Sequence, residues 1–220
     1  MSQLLKIDFV SDLACPWCAI GLAALQQALD RLTPAVAISL KLQPFELNPD
    51  LAEGGEDLAE HLTRKYGSTP EQQAAVRETL RERGAEVGFE FAAAGRARIH
   101  NTWKAHQLLH WAGIEHPERQ LALKNALLQA CHRDQLPLDA DDVLLAAVET
   151  AGLDRERAID LLATQEFASA VREREAFYLQ AGVNSVPTLI IDERYVISGC
   201  RPVEVLEQAL TQILASTRQG

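Results

Sequence analysis

Residues 4–18 read Leu-Leu-Lys-Ile-Asp-Phe-Val-Ser-Asp-Leu-Ala-Cys-Pro-Trp-Cys. The first seven residues are largely apolar and predict a short, mostly buried strand. A turn over residues 11–14 follows, and from Pro16 onward leucines recur at helical spacing, at positions 22, 25, 29 and 32. The stretch therefore predicts a strand, a Cys-x-x-Cys turn and an amphipathic helix, in that order.

After this stretch, the pattern of apolar and polar residues changes twice along the chain, from strand-like to helix-like and back. Residues 36–42 alternate apolar and polar side chains, which is the period of a strand, and complete a βαβ unit. From about residue 56 to residue 181 the sequence is instead rich in helix-forming residues. Strand patterns return only at residues 186–192 and 195–198, before a last helix from Pro202. We therefore expect an α/β fold with a sheet from residues 1–50 and 182–220 and an all-helical insertion at residues 51–181.

Local signals mark where the helices of the insertion begin and end. Capping residues and prolines predict four helix starts, and two glycines predict helix ends. The start signals are Thr69-Pro70, Asn101-Thr102, Pro117 and residues 139–142, and the expected ends are Gly113 and Gly152.

Composition and charge restrict the class of protein. The 220 residues are 47% hydrophobic and 24% charged, so the chain can bury a core without disulfides. The net charge of −10 repels nucleic acids and anionic membranes, and the basic stretch at residues 96–100 is too short for a nucleic-acid site. No signal-like segment follows Met1, and no apolar run reaches the roughly 20 residues of a membrane span. We expect a cytoplasmic protein with neither nucleic acid nor membrane as a partner.

Cys15 and Cys18 are the candidate catalytic residues. A thiolate attacks a disulfide, and the start of a helix stabilises negative charge at Cys15. Cys18 lies one turn along, so it is placed to close a disulfide with Cys15 and release a substrate. Two alternatives remain: half of a zinc site completed by Cys131, Cys200 or a histidine, and a structural disulfide. The isolated positions of Cys131 and Cys200 argue against zinc, and a reducing compartment argues against a structural disulfide.

Val186-Pro187 is the second candidate feature. A proline is tolerated at the first residue of a strand, so Pro187 can be explained without any functional role. The alternative is a cis Val186–Pro187 peptide bond that faces the cysteines.

Three stretches together resemble the DsbA-like oxidoreductases of the thioredoxin fold, and specifically their FrnE-type cytoplasmic branch. They are Ser11–Cys18, Asn101-Thr102 with Ala105-His106, and Ala181–Val183 continuing through Val186–Thr188. The resemblance implies a thioredoxin-like fold and a cis-proline loop that lies against the redox pair. It also implies that Pro16, Trp17, Val186 and Pro187 contact the substrate. Trp17 stands where the periplasmic DsbA proteins carry histidine, so an equally extreme thiolate is not implied.

The sequence therefore predicts a thiol–disulfide oxidoreductase, acting as a reductase or isomerase on disulfides of proteins or small thiols. We expect no metal and no bound cofactor, with glutathione as a candidate reductant. One alternative is a glutathione-dependent isomerase or transferase of the 2-hydroxychromene-2-carboxylate isomerase (kappa-type) branch. Such enzymes typically carry serine at the position of Cys15. The other is a redox-switched, chaperone-like module without catalysis.

Three further groups of residues can also be considered for a role in the chemistry. Cys131 and Cys200 are expected to be inert packing residues. His106 and His110, four residues apart, resemble a metal pair but lack a third ligand at a fitting spacing. Asp8 and Asp12 flank the cysteine loop, and either is a candidate proton acceptor for Cys18.

Overall fold

The computed structural model describes residues 4–32 and 36–217. The strands are β1 (Leu4–Ser11), β2 (Ala37–Pro44), β3 (Glu56–Asp57), β4 (Arg98–Ile99), β5 (Thr188–Ile191) and β6 (Tyr195–Ser198). The helices are α1 (Pro16–Leu32), α2 (Leu58–Tyr66), α3 (Pro70–Glu86), α4 (Trp103–Glu115), α5 (Pro117–His132), α6 (Asp141–Thr150), α7 (Arg155–Thr164), α8 (Ala168–Gln180) and α9 (Val203–Thr217).

The larger sheet has the strand order β2-β1-β5-β6. β1 pairs in parallel with β2, as the βαβ pattern predicts, and β5 pairs antiparallel with both β1 and β6. Phe9 of β1 lies opposite Leu42 of β2 on one side and Leu189 of β5 on the other. All four strands come from the two ends of the sequence, as expected. The α/β, thioredoxin-like fold with a helical insertion is confirmed.

The hydrophobic core begins at the sheet and continues into the insertion. Alternate residues of β1 point into it, and α1 packs beside α9. The same cluster of buried side chains includes Leu22 and Leu25 of α1 and Trp111 and Leu127 of the insertion helices. The division into domains at residues 1–50 with 182–220, and 51–181, stays a prediction.

One detail of the insertion differs from the sequence-based expectation. β3 and β4 form a two-stranded antiparallel sheet inside the insertion, so the expectation that it is helical throughout was wrong in this detail. The Arg98 guanidinium donates to the carbonyl oxygens of Gly54 and Gly55 at 2.8 Å and holds the pair together. A two-residue strand is too short to show a period of two, so no sequence pattern predicts it.

Gly113 does not end a helix, because α4 continues to Glu115. A Cβ atom at Gly113 would lie 2.5 Å from Nε2 of Gln120, so this glycine makes room for that side chain. Gln120 bonds both the N–H and the carbonyl of Leu42 at 3.0 Å, and so covers β2, an edge strand of the larger sheet. Gly152, by contrast, follows α6 with φ of +73°, as expected at a helix end.

The other start signals of the insertion agree with the structure. Thr69 forms a capping box with Gln72, and Pro70 is the first residue of α3. Within residues 4–32 and 36–217, no helix combines the length and the apolar character that crossing a membrane requires.

Candidate active site

Cys15 and Cys18 lie between the end of β1 and the first turn of α1. The Cys15 N–H donates to the Asp12 carbonyl oxygen at 3.3 Å, which closes the turn that leads into the helix. Cys15 is 6% exposed and Cys18 is fully buried, and both are free thiols. Of the two buried residues, only Cys15 keeps any exposed surface for a substrate to reach.

The two thiols have opposite pKa shifts. A hydrogen bond from the Cys18 side chain lowers the pKa of Cys15 despite burial, and the backbone N–H groups of Cys18 and Trp17 add to the effect. Burial raises the pKa of Cys18 well above its usual range, and the neighbouring Cys15 raises it further. Cys15 is thus suited to be the attacking thiolate, while Cys18 holds its proton until that thiolate has reacted.

The loop that carries Val186 and Pro187 lies directly against Cys15. The Val186–Pro187 peptide bond is cis, and the Val186 carbonyl oxygen lies 3.8 Å from Cys15 Sγ. Gly21 of α1 accommodates the proline ring, since a Cβ atom there would lie 3.0 Å from Pro187 Cγ. The Gly199 N–H donates to the Pro187 carbonyl oxygen at 2.8 Å and fixes the loop to the end of β6.

A cleft of about 510 Å³ opens beside Cys15. It is lined by Cys15, Pro16 and Trp17 and by residues of α2, α3 and the segment 91–99. Among the four residues predicted to contact substrate, Pro16 and Trp17 therefore line the cleft, whereas Val186 and Pro187 approach Cys15 from the sheet. The volume is within the range of about 300–1,000 Å³ that is usual for small-molecule sites.

Asp12 is a buried anion beneath the cysteine loop. Its carboxylate accepts hydrogen bonds from the N–H groups of Ala14 (3.0 Å) and Leu47 (2.7 Å) and from the Thr102 hydroxyl (2.9 Å). Burial raises its pKa, but the nearby His106 imidazole and the backbone donors Leu47 and Ala14 lower it on balance. A carboxylate so stabilised holds its charge and is a poor proton acceptor for Cys18. Asp8, the other candidate, accepts from Gln43 Nε2 at 2.6 Å.

Comparison with known proteins agrees with this geometry. The family model of the DSBA-like thioredoxin domain matches residues 6–211. The chain belongs to the DSBA-like thioredoxin family. A probable DsbA oxidoreductase from Streptomyces coelicolor is 32% identical, with a TM-score of 0.87 over 96% of this chain and 90% of that one.

Two further proteins that resemble this chain share less sequence identity with it. The Bacillus subtilis protein YwbO is 23% identical over 93% of this chain and 95% of its own length. A structure of 2-hydroxychromene-2-carboxylate isomerase is 15% identical, with a TM-score of 0.70 over 97% of this chain and 98% of that one. At this identity the likeness shows the shared fold alone.

Two residues of the insertion, Arg96 and Lys124, lie at the cysteine loop. Neither was a candidate site residue from the sequence. Arg96 donates to the Ala14 carbonyl oxygen at 2.8 Å and contacts Cys131 Sγ at 3.1 Å. Lys124 of α5 is fully buried, and burial lowers its pKa to about 8, against the opposing charges of Cys18 and Asp12. Lys124 falls on the buried face of α5, between Gln120 and Leu127, and a lysine at such a position was a signal available in the sequence.

The backbone of Cys200 lies beside Gly21 and Pro187, close to the redox pair, whereas Cys131 and the two candidate histidines have other contacts. Cys131 is buried against Arg96, and burial raises its pKa, while Cys200 is half-buried with a pKa that burial also raises. His106 Nε2 lies 3.5 Å from Asp12 Oδ1, and the ring of His110 packs against that of Phe167. In the part of the chain that the structure describes, no three His, Cys, Asp or Glu side chains meet as a metal site requires.

Proposed function

We propose that the protein catalyses thiol–disulfide exchange, with Cys15 as the attacking and Cys18 as the resolving cysteine. One observation carries the proposal: at the start of α1 the cysteine that lines the cleft has the lowered pKa, and the fully buried cysteine has the raised one. The membership in the DSBA-like thioredoxin family supports the same class of chemistry. The substrates are disulfides of proteins or of small thiols.

The reaction runs in two displacements. The Cys15 thiolate attacks one sulfur of the substrate disulfide, a Cys15–substrate S–S bond forms, and the other substrate sulfur leaves as a thiolate that takes up a proton. Cys18 then loses its proton and attacks Cys15 Sγ, which forms the Cys15–Cys18 disulfide and releases the second substrate thiol. The substrate is reduced by two electrons and the enzyme is oxidised by two. A dithiol or two monothiols, glutathione among the candidates, return the enzyme to its reduced form.

The residues around Cys15 suit binding as well as chemistry. The Val186 carbonyl oxygen beside Cys15 Sγ gives an extended substrate a backbone acceptor, and Pro187 offers no metal ligand next to the two sulfurs. Pro16 and Trp17 border the cleft and are placed to contact a substrate attached to Cys15. No cofactor and no metal enter this mechanism.

We further propose reductase or isomerase activity in the cytoplasm, as in the FrnE-type branch. The motif Ser11–Cys18 and the helical insertion support this branch. A glutathione-dependent isomerase or transferase needs no second cysteine, so the pair Cys15 and Cys18 favours exchange chemistry over it. A redox-switched binding module would show no turnover.

The test is reduction of insulin by catalytic amounts of the full chain with a dithiol as reductant. We expect many turnovers per molecule, abolished by Cys15→Ser and reduced to slow, monothiol exchange by Cys18→Ser. Serine at either position is close in size to cysteine, so both variants should fold, and circular dichroism checks this. Stoichiometric reduction without turnover would contradict the proposal and favour the redox-switched module.

A further inference from the structure

The cleft beside Cys15 has a specific chemical character. Three aromatic side chains line it, namely Trp17, Tyr66 and Phe91. Tyr66 is 60% exposed, and Val76 on the facing helix α3 is 48% exposed. Such exposed apolar side chains, gathered in one concave surface next to a reactive sulfur, are typical of a ligand site.

The charges around the cleft favour an anion. Three arginines line it, Arg77, Arg81 and Arg96, although the chain as a whole carries a net charge of −10. Arg96 already donates to the Ala14 carbonyl oxygen and to Cys131 Sγ. Arg81 forms an ion pair with Glu78 at 2.7 Å. Arg77 has no ion pair among residues 4–32 and 36–217. Asp57, the cleft's carboxylate, already caps α2 by accepting from the Glu60 N–H at 2.9 Å.

Arg77 is held over the cleft by the loop opposite α3. A Cβ atom at Gly95 would lie 2.6 Å from Arg77 Cδ, so the aliphatic part of Arg77 rests on the backbone of that glycine. The guanidinium at the end of this stem is the charged group available to a ligand carboxylate.

We propose that the cleft binds small aromatic disulfides that carry a carboxylate, with the carboxylate at Arg77 and the reacting sulfur at Cys15. This inference rests on the proposed exchange activity and names one substrate class for it. The aromatic body lies against Tyr66 and Phe91. The bonds made and broken are those of the exchange reaction: one aromatic thiol leaves when Cys15 attacks, and the second leaves when Cys18 resolves the mixed disulfide.

Two chromogenic disulfides test the charge. Dithiobis(nitrobenzoic acid) is aromatic and carries carboxylates, and dithiodipyridine is aromatic without a carboxylate. The measurement is the rate constant for reaction of the reduced full chain with each, by stopped flow, with Cys15→Ser subtracted to remove reaction at Cys200. Arg77→Gln should lower the ratio of the two rate constants by about ten- to a hundredfold, the loss of one charge-assisted hydrogen bond. Arg155→Gln, which removes a partly exposed arginine at the start of α7 that pairs with Glu149 of α6, should leave the ratio unchanged.

A second variant tests the cleft itself. Val76→Trp places a large side chain on an exposed position and should slow both aromatic disulfides, but not the small aliphatic hydroxyethyl disulfide. Ile159→Trp, on an exposed position of α7, is the matched control and should slow none.

The outcomes separate this inference from the exchange activity on which it rests. An unchanged ratio in Arg77→Gln would overturn the inference, as would equal slowing of aromatic and aliphatic disulfides in Val76→Trp. Loss of insulin reduction as large as the loss of aromatic disulfide reaction in Val76→Trp would assign the cleft to protein chains and would also overturn it. If the wild-type protein reacts with none of these disulfides through Cys15, the proposed exchange activity itself fails.

Discussion

The Arg96 guanidinium donates a 2.8 Å hydrogen bond to the carbonyl oxygen of Ala14, the residue immediately before Cys15. Arg96 belongs to the insertion and Ala14 to the turn after β1, so this bond joins the two halves of the site. His132, also from the insertion, places Nε2 3.0 Å from the Leu13 carbonyl oxygen. The helical insertion thus holds the redox loop in place as well as forming the cleft.

Replacement of Arg96 should therefore loosen that loop. Arg96→Met keeps the aliphatic stem but leaves the buried Ala14 carbonyl without its donor, which should lower the free energy of unfolding by about 1–3 kcal/mol. Urea denaturation of the reduced protein measures this. Arg155→Met, at an exposed ion pair, should cost less than about 1 kcal/mol. Equal effects of the two variants would show that the Arg96 bond does not stabilise the loop.

The charge of Asp12 should oppose thiolate formation at Cys15. Asp12 raises the pKa of Cys15 through its negative charge, so Asp12→Asn should lower the pKa of Cys15 further. The pH dependence of iodoacetamide alkylation at Cys15 measures the shift. Asp8→Asn, on β1 and bonded to Gln43, is the control and should leave the alkylation profile in place. A pKa of Cys15 that rises in Asp12→Asn would mean that the hydrogen bonds of Asp12 matter more than its charge.

Lys124 should assist the second displacement. Its positive charge lowers the pKa of Cys18, so Lys124→Met should raise that pKa further and slow release of the substrate from Cys15. The fluorescence of Trp17, between the two cysteines, offers a signal for single-turnover measurements of this step. Lys104→Met, at an exposed lysine paired with Asp141, should leave the rate unchanged. A slower first displacement with normal resolution would contradict this role.

The same lysine should make stability depend on pH. Burial lowers the pKa of Lys124 from 10.5 to about 8, so between these values the unfolded chain binds more protons than the folded one. The free energy of unfolding of the wild-type protein should therefore rise with pH across that window, relative to Lys124→Met. Parallel profiles for the two proteins would show that Lys124 titrates normally.

The sequence could predict those parts of the fold and site that depend on local pattern. The βαβ start, the redox pair and most helix starts follow from residues close together in the chain. Arg96 and Lys124 could not be assigned in this way, because each reaches the cysteine loop only through tertiary packing. More than 80 residues of sequence separate Arg96 from Ala14, and Lys124 is farther still along the chain from Cys18. The cleft likewise exists only once α2 and α3 stand beside α1. The β3–β4 pair could not be predicted, because strands of two residues are too short to show the alternation of apolar and polar side chains.

Gly113 shows how a tertiary contact can override a local signal. An exchange of glycine for alanine inside a helix usually stabilises it by up to about 1 kcal/mol. Gly113→Ala should instead destabilise the protein by about 1–3 kcal/mol, since its Cβ would lie 2.5 Å from Gln120 Nε2. Urea denaturation measures the sign, and Gln120→Ala in the same background should remove the conflict, giving a coupling between the two sites. Stabilisation by Gly113→Ala would mean that Gln120 moves aside at little cost.

The most direct test of the central claim is the pH-dependent alkylation of the reduced wild-type protein, mapped cysteine by cysteine by peptide mass spectrometry with limiting iodoacetamide. We expect Cys15 to react first among the four cysteines, with a titration midpoint below that of free cysteine. Cys18 should stay unmodified across the same range, because burial raises its pKa and shields its sulfur. Earlier reaction at Cys18 or Cys200, or a Cys15 midpoint at or above that of free cysteine, would contradict the assignment of Cys15 as the attacking thiolate.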